Sequence, residues 1–143
     1  MYLKGITLRN KLSLDISNVS VLYAQSDKGT GVFSYAFNWA IVDVETKENV
    51  RFTQNIHIGE IMKDNEKSVY ESIPYEEGLR GYWQVYFTMG GRRYKIDKNN
   101  AQANIWQSDI GTMVEITVRN EESGIRIDFV FASGNAYFYA RRM

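Results

Sequence analysis

The stretch YWQVYFTMGGRRYK, residues 82–95, places Tyr82, Tyr86, Arg93 and Lys95 around a Gly90-Gly91 pair. Tyrosine rings of this kind stack on planar ligands, and a guanidinium and an ammonium beside them hold an anion. These residue types suit a nucleotide, a sugar or an anionic peptide. The same residues also serve a solvated sheet face on which Lys and Arg stems lie over tyrosine rings.

The spacing says which element carries them. With Gly90-Gly91 as a two-residue loop, opposed residue numbers sum to 181, which sets Val85 against Ile96 and Phe87 against Tyr94. On the other face Gln84 meets Asp97, Tyr86 meets Lys95 and Thr88 meets Arg93. Apolar pairs fall on one face and polar pairs on the other, as a correctly registered hairpin requires. Glycine supplies the positive φ of the turn without steric cost. The functional question therefore narrows to Tyr82, Tyr86, Arg93 and Lys95.

A second candidate is the stripe Phe33, Tyr35, Phe37, Trp39, on one face of a strand read from Val32 to Val44. At about 3.3 Å per residue that strand would span roughly 43 Å, long enough to bend across two sheets or curl in a barrel. Such a stripe forms core, or lines a cavity where a sheet closes with space inside. Tyr35 and Trp39 are accordingly candidate ligand contacts.

Other chemistries find little support. His57 is the single histidine, on a polar strand face beside Thr53 and Asn55, and reads as a surface residue rather than the centre of a triad. With no cysteine and one histidine, neither a zinc site nor a disulfide framework can be built. DNEKSVYES from Asp64 fails as a calcium loop, because Val69 replaces the glycine at its sixth position. Gly29 and Gly31 precede a strand and lack a following Gly-Lys-Ser/Thr, so they read as a turn. The Asn18-Val19-Ser20 glycosylation pattern matters only in a secreted chain. Glu76-Glu77 and Glu121-Glu122 are neighbouring acids on loops, whereas acid–base hydrolysis needs two carboxyls converging across a cleft. No cofactor is called for.

Gly81-Tyr82-Trp83 resembles the Gly-x-Trp signature that opens the first barrel strand of lipocalins. In that family nearly the whole barrel follows the motif, and the residues after Trp83 are too few for eight strands. The lipocalin pocket is not carried over.

The elements around these candidates read as an all-β domain. One hundred and forty-three residues make one domain, able to bury roughly 70% of its unfolded surface without a metal or disulfide staple. A single proline and 14% aromatic residues oppose disorder and fit a pleated surface. Apolar residues alternate in Leu12, Leu14 and Ile16, then shift to Val19, Val21 and Tyr23, so a bulge or corner is expected at Ser17-Asn18. Residues 45–49 read as a hairpin loop before a strand through Val50, Phe52, Ile56 and Ile58. Residues 59–81 break the pattern: Met62, Val69, Tyr70 and Ile73 fit a helical stripe, with Asn65 as cap and Pro74 as stop. Strands follow at 82–89, 92–97, about 102–107, 112–119, 125–131 and 136–142. A turn centred on Gly134-Asn135 sets Phe131 opposite Phe138 and Asp128 opposite Arg141. The expected fold is a single antiparallel β-barrel or β-sandwich of about 8–11 strands, covering 1–143, with a short helical or irregular crossover at 59–81.

Seventeen Lys and Arg balance seventeen Asp and Glu, so no global field attracts double-stranded nucleic acid or an anionic membrane. Six acids against three bases in 60–80, a local net of −3, contrast with four bases against one acid in 89–98, a local net of +3. No apolar run has the length of a signal peptide or a membrane span, and the expected location is the cytoplasm. The functional expectation is a non-catalytic module binding a small ligand, nucleotide-like or otherwise anionic and aromatic. It would use the Tyr82/Tyr86/Arg93/Lys95 face or an aromatic cavity. The alternative is a protein-interaction or assembly module, whether inhibitor, immunity or viral component, acting with itself as a homo-oligomer or with a protein partner. The third is an Asp/Glu-dependent hydrolase or lyase.

Overall fold

The computed structural model describes residues 1–25, 40–42, 49–75, 80–98 and 101–143, with the backbone alone for 40–42 and 49–51. Its strands are β1 (Tyr2–Leu3), β2 (Gly5–Lys11), β3 (Ile16–Gln25), β4 (Ala40–Val42), β5 (Asn49–Arg51), β6 (Gln54–Ile61) and β7 (Glu66–Val69). After these come β8 (Ile73–Pro74), β9 (Gly81–Met89), β10 (Arg92–Ile96), β11 (Met113–Glu121), β12 (Gly124–Phe131) and β13 (Gly134–Arg142). Nine of them form one sheet, in the order β6-β3-β9-β10-β13-β12-β11-β2-β7. It is nearly closed and barrel-like. β1-β8 and β4-β5 form two short ribbons.

The all-β expectation holds, with one departure from an antiparallel sheet. β2 runs parallel to β11, from Met113↔Gly5 to Arg119↔Lys11. Parallel neighbours need a long connection between them, and here that connection is most of the chain.

Alternation along the strands sends one face inward. Val21 and Tyr23, Trp83, Val85 and Phe87, Ile127 and Phe129, and Val114, Ile116 and Val118 share one core. Trp83 sits at its centre, 0% exposed, with its ring centroid 4.5 Å from Tyr23, 5.4 Å from Phe129 and 5.9 Å from Phe131. Its indole N–H donates to the Ala103 carbonyl at 2.8 Å, so the polar edge of the ring is satisfied where it is buried. Burying one large apolar side chain of this kind contributes about 1.5–3 kcal/mol.

The 82–95 hairpin has the expected register: Arg93 pairs with Thr88, Tyr94 with Phe87 and Lys95 with Tyr86. Gly90 and Gly91 take φ of 58° and 74°. The Phe87 and Tyr94 rings stack at 5.2 Å. The phase flip at Ser17-Asn18 is a bulge. Pairing of β3 shifts between Ile16 and Val19 on one side and between Ser17 and Ser20 on the other, and Asn18 has a positive φ of 47°.

Three local expectations are corrected. The β12–β13 turn is centred on Ala132-Ser133, since Phe131 pairs with Gly134. Phe138 therefore faces Ile127 and Tyr137 faces Asp128, in place of the Phe131–Phe138 and Asp128–Arg141 pairs. A buried carboxylate decides this: Asp109, 0% exposed, accepts the Ser133 N–H at 2.8 Å and is 2.7 Å from its hydroxyl. The helical stripe at 62–73 is replaced among the described residues by β7 and β8. β7 pairs with β2 from Arg9↔Glu66 to Ile6↔Val69, a long-range ladder that outweighs the local pattern. Residues 102–107 form an irregular edge segment and a single 3₁₀ turn, Gln107–Asp109, rather than a strand. The expected strand at 32–44 is described only at β4, which pairs with β5 across the expected hairpin loop.

The two sheet edges, β6 and β7, follow one another in the chain, and Asn10 pins them. Fully buried, it donates from Nδ2 to the carbonyls of Leu14 and Ile61 at 2.9 and 3.1 Å, and its Oδ1 accepts the Leu12 N–H at 3.0 Å. Its backbone N–H donates to Asn65 and its carbonyl accepts from Asp64, both at 2.9 Å. One residue thus ties β2, the β2–β3 turn, the end of β6 and the β6–β7 turn. Gly5 permits the approach of β7 to β2, since a Cβ there would lie 2.1 Å from the Val69 carbonyl oxygen.

Candidate functional site

The outer face of the 82–95 hairpin continues across five strands. Register places Arg141 beside Lys95, Lys95 beside Tyr86, Tyr86 beside Ser20 and Ser20 beside His57. At about 4.8 Å per strand the row Arg141–Lys95–Tyr86–Ser20–His57 spans roughly 19 Å. Three of its members can carry positive charge, and Arg93 lies alongside.

A groove of about 530 Å³ opens on this row, lined by Asn18, Ser20, His57, Tyr86, Arg93 and Met143, among others. Arg93 is held on two sides. Its Nη1 donates to the Asn18 carbonyl at 2.7 Å and to the Thr88 hydroxyl at 3.1 Å, and its guanidinium carbon is 5.5 Å from the Tyr86 ring centroid. The bulge in β3 turns that carbonyl toward β10, so the local irregularity and the arginine are one arrangement. Burial pushes the Tyr86 phenol above its usual value, with Arg93 opposing the shift, so the hydroxyl is a donor at neutral pH. Lys95 has its ammonium pushed below the usual lysine value, first by burial and then by the Arg141 charge. Among the described residues no Asp or Glu pairs with Arg93, Lys95 or Arg141.

Tyr86, Arg93 and Lys95 are therefore brought together, with Lys95 next to the groove rather than in its lining. Tyr82 is not. It is 0% exposed and packs with Leu22, Ala24 and Phe52 in a second apolar cluster on the outer side of the sheet. Gln84, 2% exposed, likewise leaves the polar face: its Oε1 accepts the Ile96 N–H at 2.7 Å instead of meeting Asp97. At this end of β9 the chain segment from Ala101 takes over the edge that β10 has left, with Trp83 N–H donating to Ala101 at 2.9 Å and Ala103 N–H to Gly81 at 3.0 Å. Gly81 allows that approach, because a Cβ would lie 2.8 Å from the Ala103 oxygen. Tyr35 and Trp39 lie outside the described residues.

Sequence reasoning missed Ser20, His57 and Arg141 as members of this face. His57 and Ser20 were within reach, because the bulge at Ser17-Asn18 sets Ser20 outward in phase with Tyr86. Arg141 was hidden by the misplaced β12–β13 turn, which sent it to Asp128.

Carboxylates converge elsewhere but are occupied. Asp128 accepts from Arg119 Nε and Arg126 Nε, both at 2.8 Å, and Glu121 accepts from Arg126 at 3.2 Å and from the Tyr139 hydroxyl at 2.9 Å. Arg126 also lies 3.9 Å over the Tyr137 ring. Asp109 holds three donors and is sealed from solvent. Among the described residues no group of three or more His, Cys, Asp or Glu could hold a metal ion, and no helix is long and apolar enough to cross a membrane. Comparison with protein-family models and with curated proteins finds no match.

Proposed function

We propose that this protein is a non-catalytic binding module for a small anionic ligand that carries an aromatic ring, a nucleotide being the simplest such molecule. The observation that carries the reading is the set Arg93, Lys95 and Arg141. Arg93 lies over the Tyr86 ring, Lys95 pairs beside Tyr86 and Arg141 beside Lys95, none of them with an acidic partner among the described residues, and Lys95 has its ammonium form disfavoured. A phosphate beside them would supply the missing countercharge in charge-assisted hydrogen bonds. Tyr86 offers a ring for the ligand's base and a phenol donor at the mouth of the groove. An isologous dimer through this face would set the cationic row against its own copy, so self-association is not part of the proposal.

Calorimetric titration with AMP, adenosine and inorganic phosphate tests it. AMP should bind at least tenfold more tightly than either fragment, because ring and phosphate are both engaged. Lys95→Met and Arg141→Ala should each weaken AMP about tenfold, equivalent to about 1.4 kcal/mol. AMP binding that is absent, or that ignores both substitutions, overturns the reading.

A further inference from the structure

We propose a second binding site, for a neutral saccharide, in the groove between residues 102–106 and the β12–β13 turn. This groove shares no lining residue with the one beside Tyr86, and its volume is about 340 Å³. Gln102, Asn104, Trp106, Ser133 and Asn135 supply its side-chain functionality. None of these carries charge, so the chemistry that attracts an anion next to Lys95 is missing here.

Trp106 is 56% exposed, a large apolar ring left in water. The C–H face of a pyranose covers such a ring while its hydroxyls stay available for hydrogen bonding. The amides meet the second requirement. A sugar hydroxyl is donor and acceptor at once, and so is a primary amide. Asn104 Oδ1 is already taken by Gly81 N–H at 2.9 Å and Gln102 Nε2 at 3.2 Å. That leaves Asn104 Nδ2 as donor and Gln102 Oε1 as acceptor, set side by side.

The two walls are fixed by one group beneath them. Asp109 Oδ2 accepts the Trp106 N–H at 2.8 Å and lies 2.7 Å from the Ser133 hydroxyl, while Oδ1 accepts the Ser133 N–H. The Asp109 N–H donates back to the Trp106 carbonyl at 2.9 Å. A buried carboxylate thus sets the distance between the aromatic platform and the Ser133–Asn135 wall, so little ordering remains to be done when a ligand enters.

Saturation-transfer NMR with the methyl glycosides of glucose, galactose, mannose and N-acetylglucosamine is the test. Transfer to the ring protons of at least one glycoside is expected, with a matching shift of the Trp106 indole N–H signal. Trp106→Ala should reduce the transfer at least tenfold. Should that variant lose its fold, Asn135→Ala, at an exposed position, carries the comparison and should weaken binding severalfold. Transfer from none of the four glycosides, or transfer unchanged in the folded variants, overturns the proposal.

Discussion

Arg93 Nη1 donates to the backbone carbonyl of Asn18 at 2.7 Å, across 75 residues of sequence. An arginine that lines the candidate groove is thereby a support for the bulge that shapes the groove. The same bond, with a second from Nη1 to the Thr88 hydroxyl, holds the guanidinium over Tyr86.

Asn18 holds a left-handed backbone that asparagine and glycine tolerate and β-branched residues do not. Asn18→Gly should leave the melting temperature nearly unchanged, whereas Asn18→Val should cost about 1–2 kcal/mol. Chemical denaturation of the two variants checks this; equal stabilities would remove the bulge from the account.

Asn10→Ala removes three side-chain hydrogen bonds at the barrel seam and leaves the buried Leu12 N–H and Ile61 carbonyl, and the part-buried Leu14 carbonyl, without them. A cost of about 2–4 kcal/mol is expected, because each buried group left unpaired costs about 1–3 kcal/mol. Hydrogen exchange should locate the loss first at β6 and β7. Uniform acceleration over the whole sheet would show that Asn10 does not act at the seam.

Asp109→Asn places an amide N–H₂ against one of three donors that now converge on the carboxylate. About 1–3 kcal/mol of stability should be lost. The Ser133 and Trp106 backbone signals should shift together in an NMR spectrum. Movement of one without the other contradicts a shared anchor.

Burial, and then the Arg141 charge, push the Lys95 ammonium below the usual lysine value of 10.5. The unfolded chain therefore holds this proton at pH values where the folded chain has begun to lose it. Below the folded pKa the penalty is fully present, and stability gains as pH rises through the window up to 10.5. Arg141→Ala should raise the value only in part, since burial is the larger cause. Side-chain ammonium NMR reads this directly, and a Lys95 pKa at or above 10.5 contradicts it.

The parts of the fold that sequence made legible are those decided by neighbours along the chain. The Gly90-Gly91 turn and its register need only alternation and turn chemistry, and the bulge at Ser17-Asn18 announces itself as a change of phase. The parts that were hidden are decided from a distance. Asp109 moves the β12–β13 turn by capping Ser133. β2 recruits residues 66–69 as a strand although their spacing suits a helix. Tyr82 looks like a second ligand contact until it is seen to be buried with Leu22, Ala24 and Phe52, in the cluster against which Tyr86 packs. Of the candidate site, Tyr86, Arg93 and Lys95 were readable because one hairpin carries them. Ser20, His57 and Arg141 join only once five strands are set in order.

The parallel pairing of β2 with β11 bears on how the chain is made. Arg9 meets Glu115 at 2.7 Å although 106 residues separate them. On a ribosome, β2 emerges early and one of its two edges stays unsatisfied until β11 follows. Through that interval the strand is open to mispairing, and such non-local closure slows folding. Nascent chains stalled before Met113 should therefore hold onto chaperones, and release should come with the synthesis of β11 rather than in step with chain length.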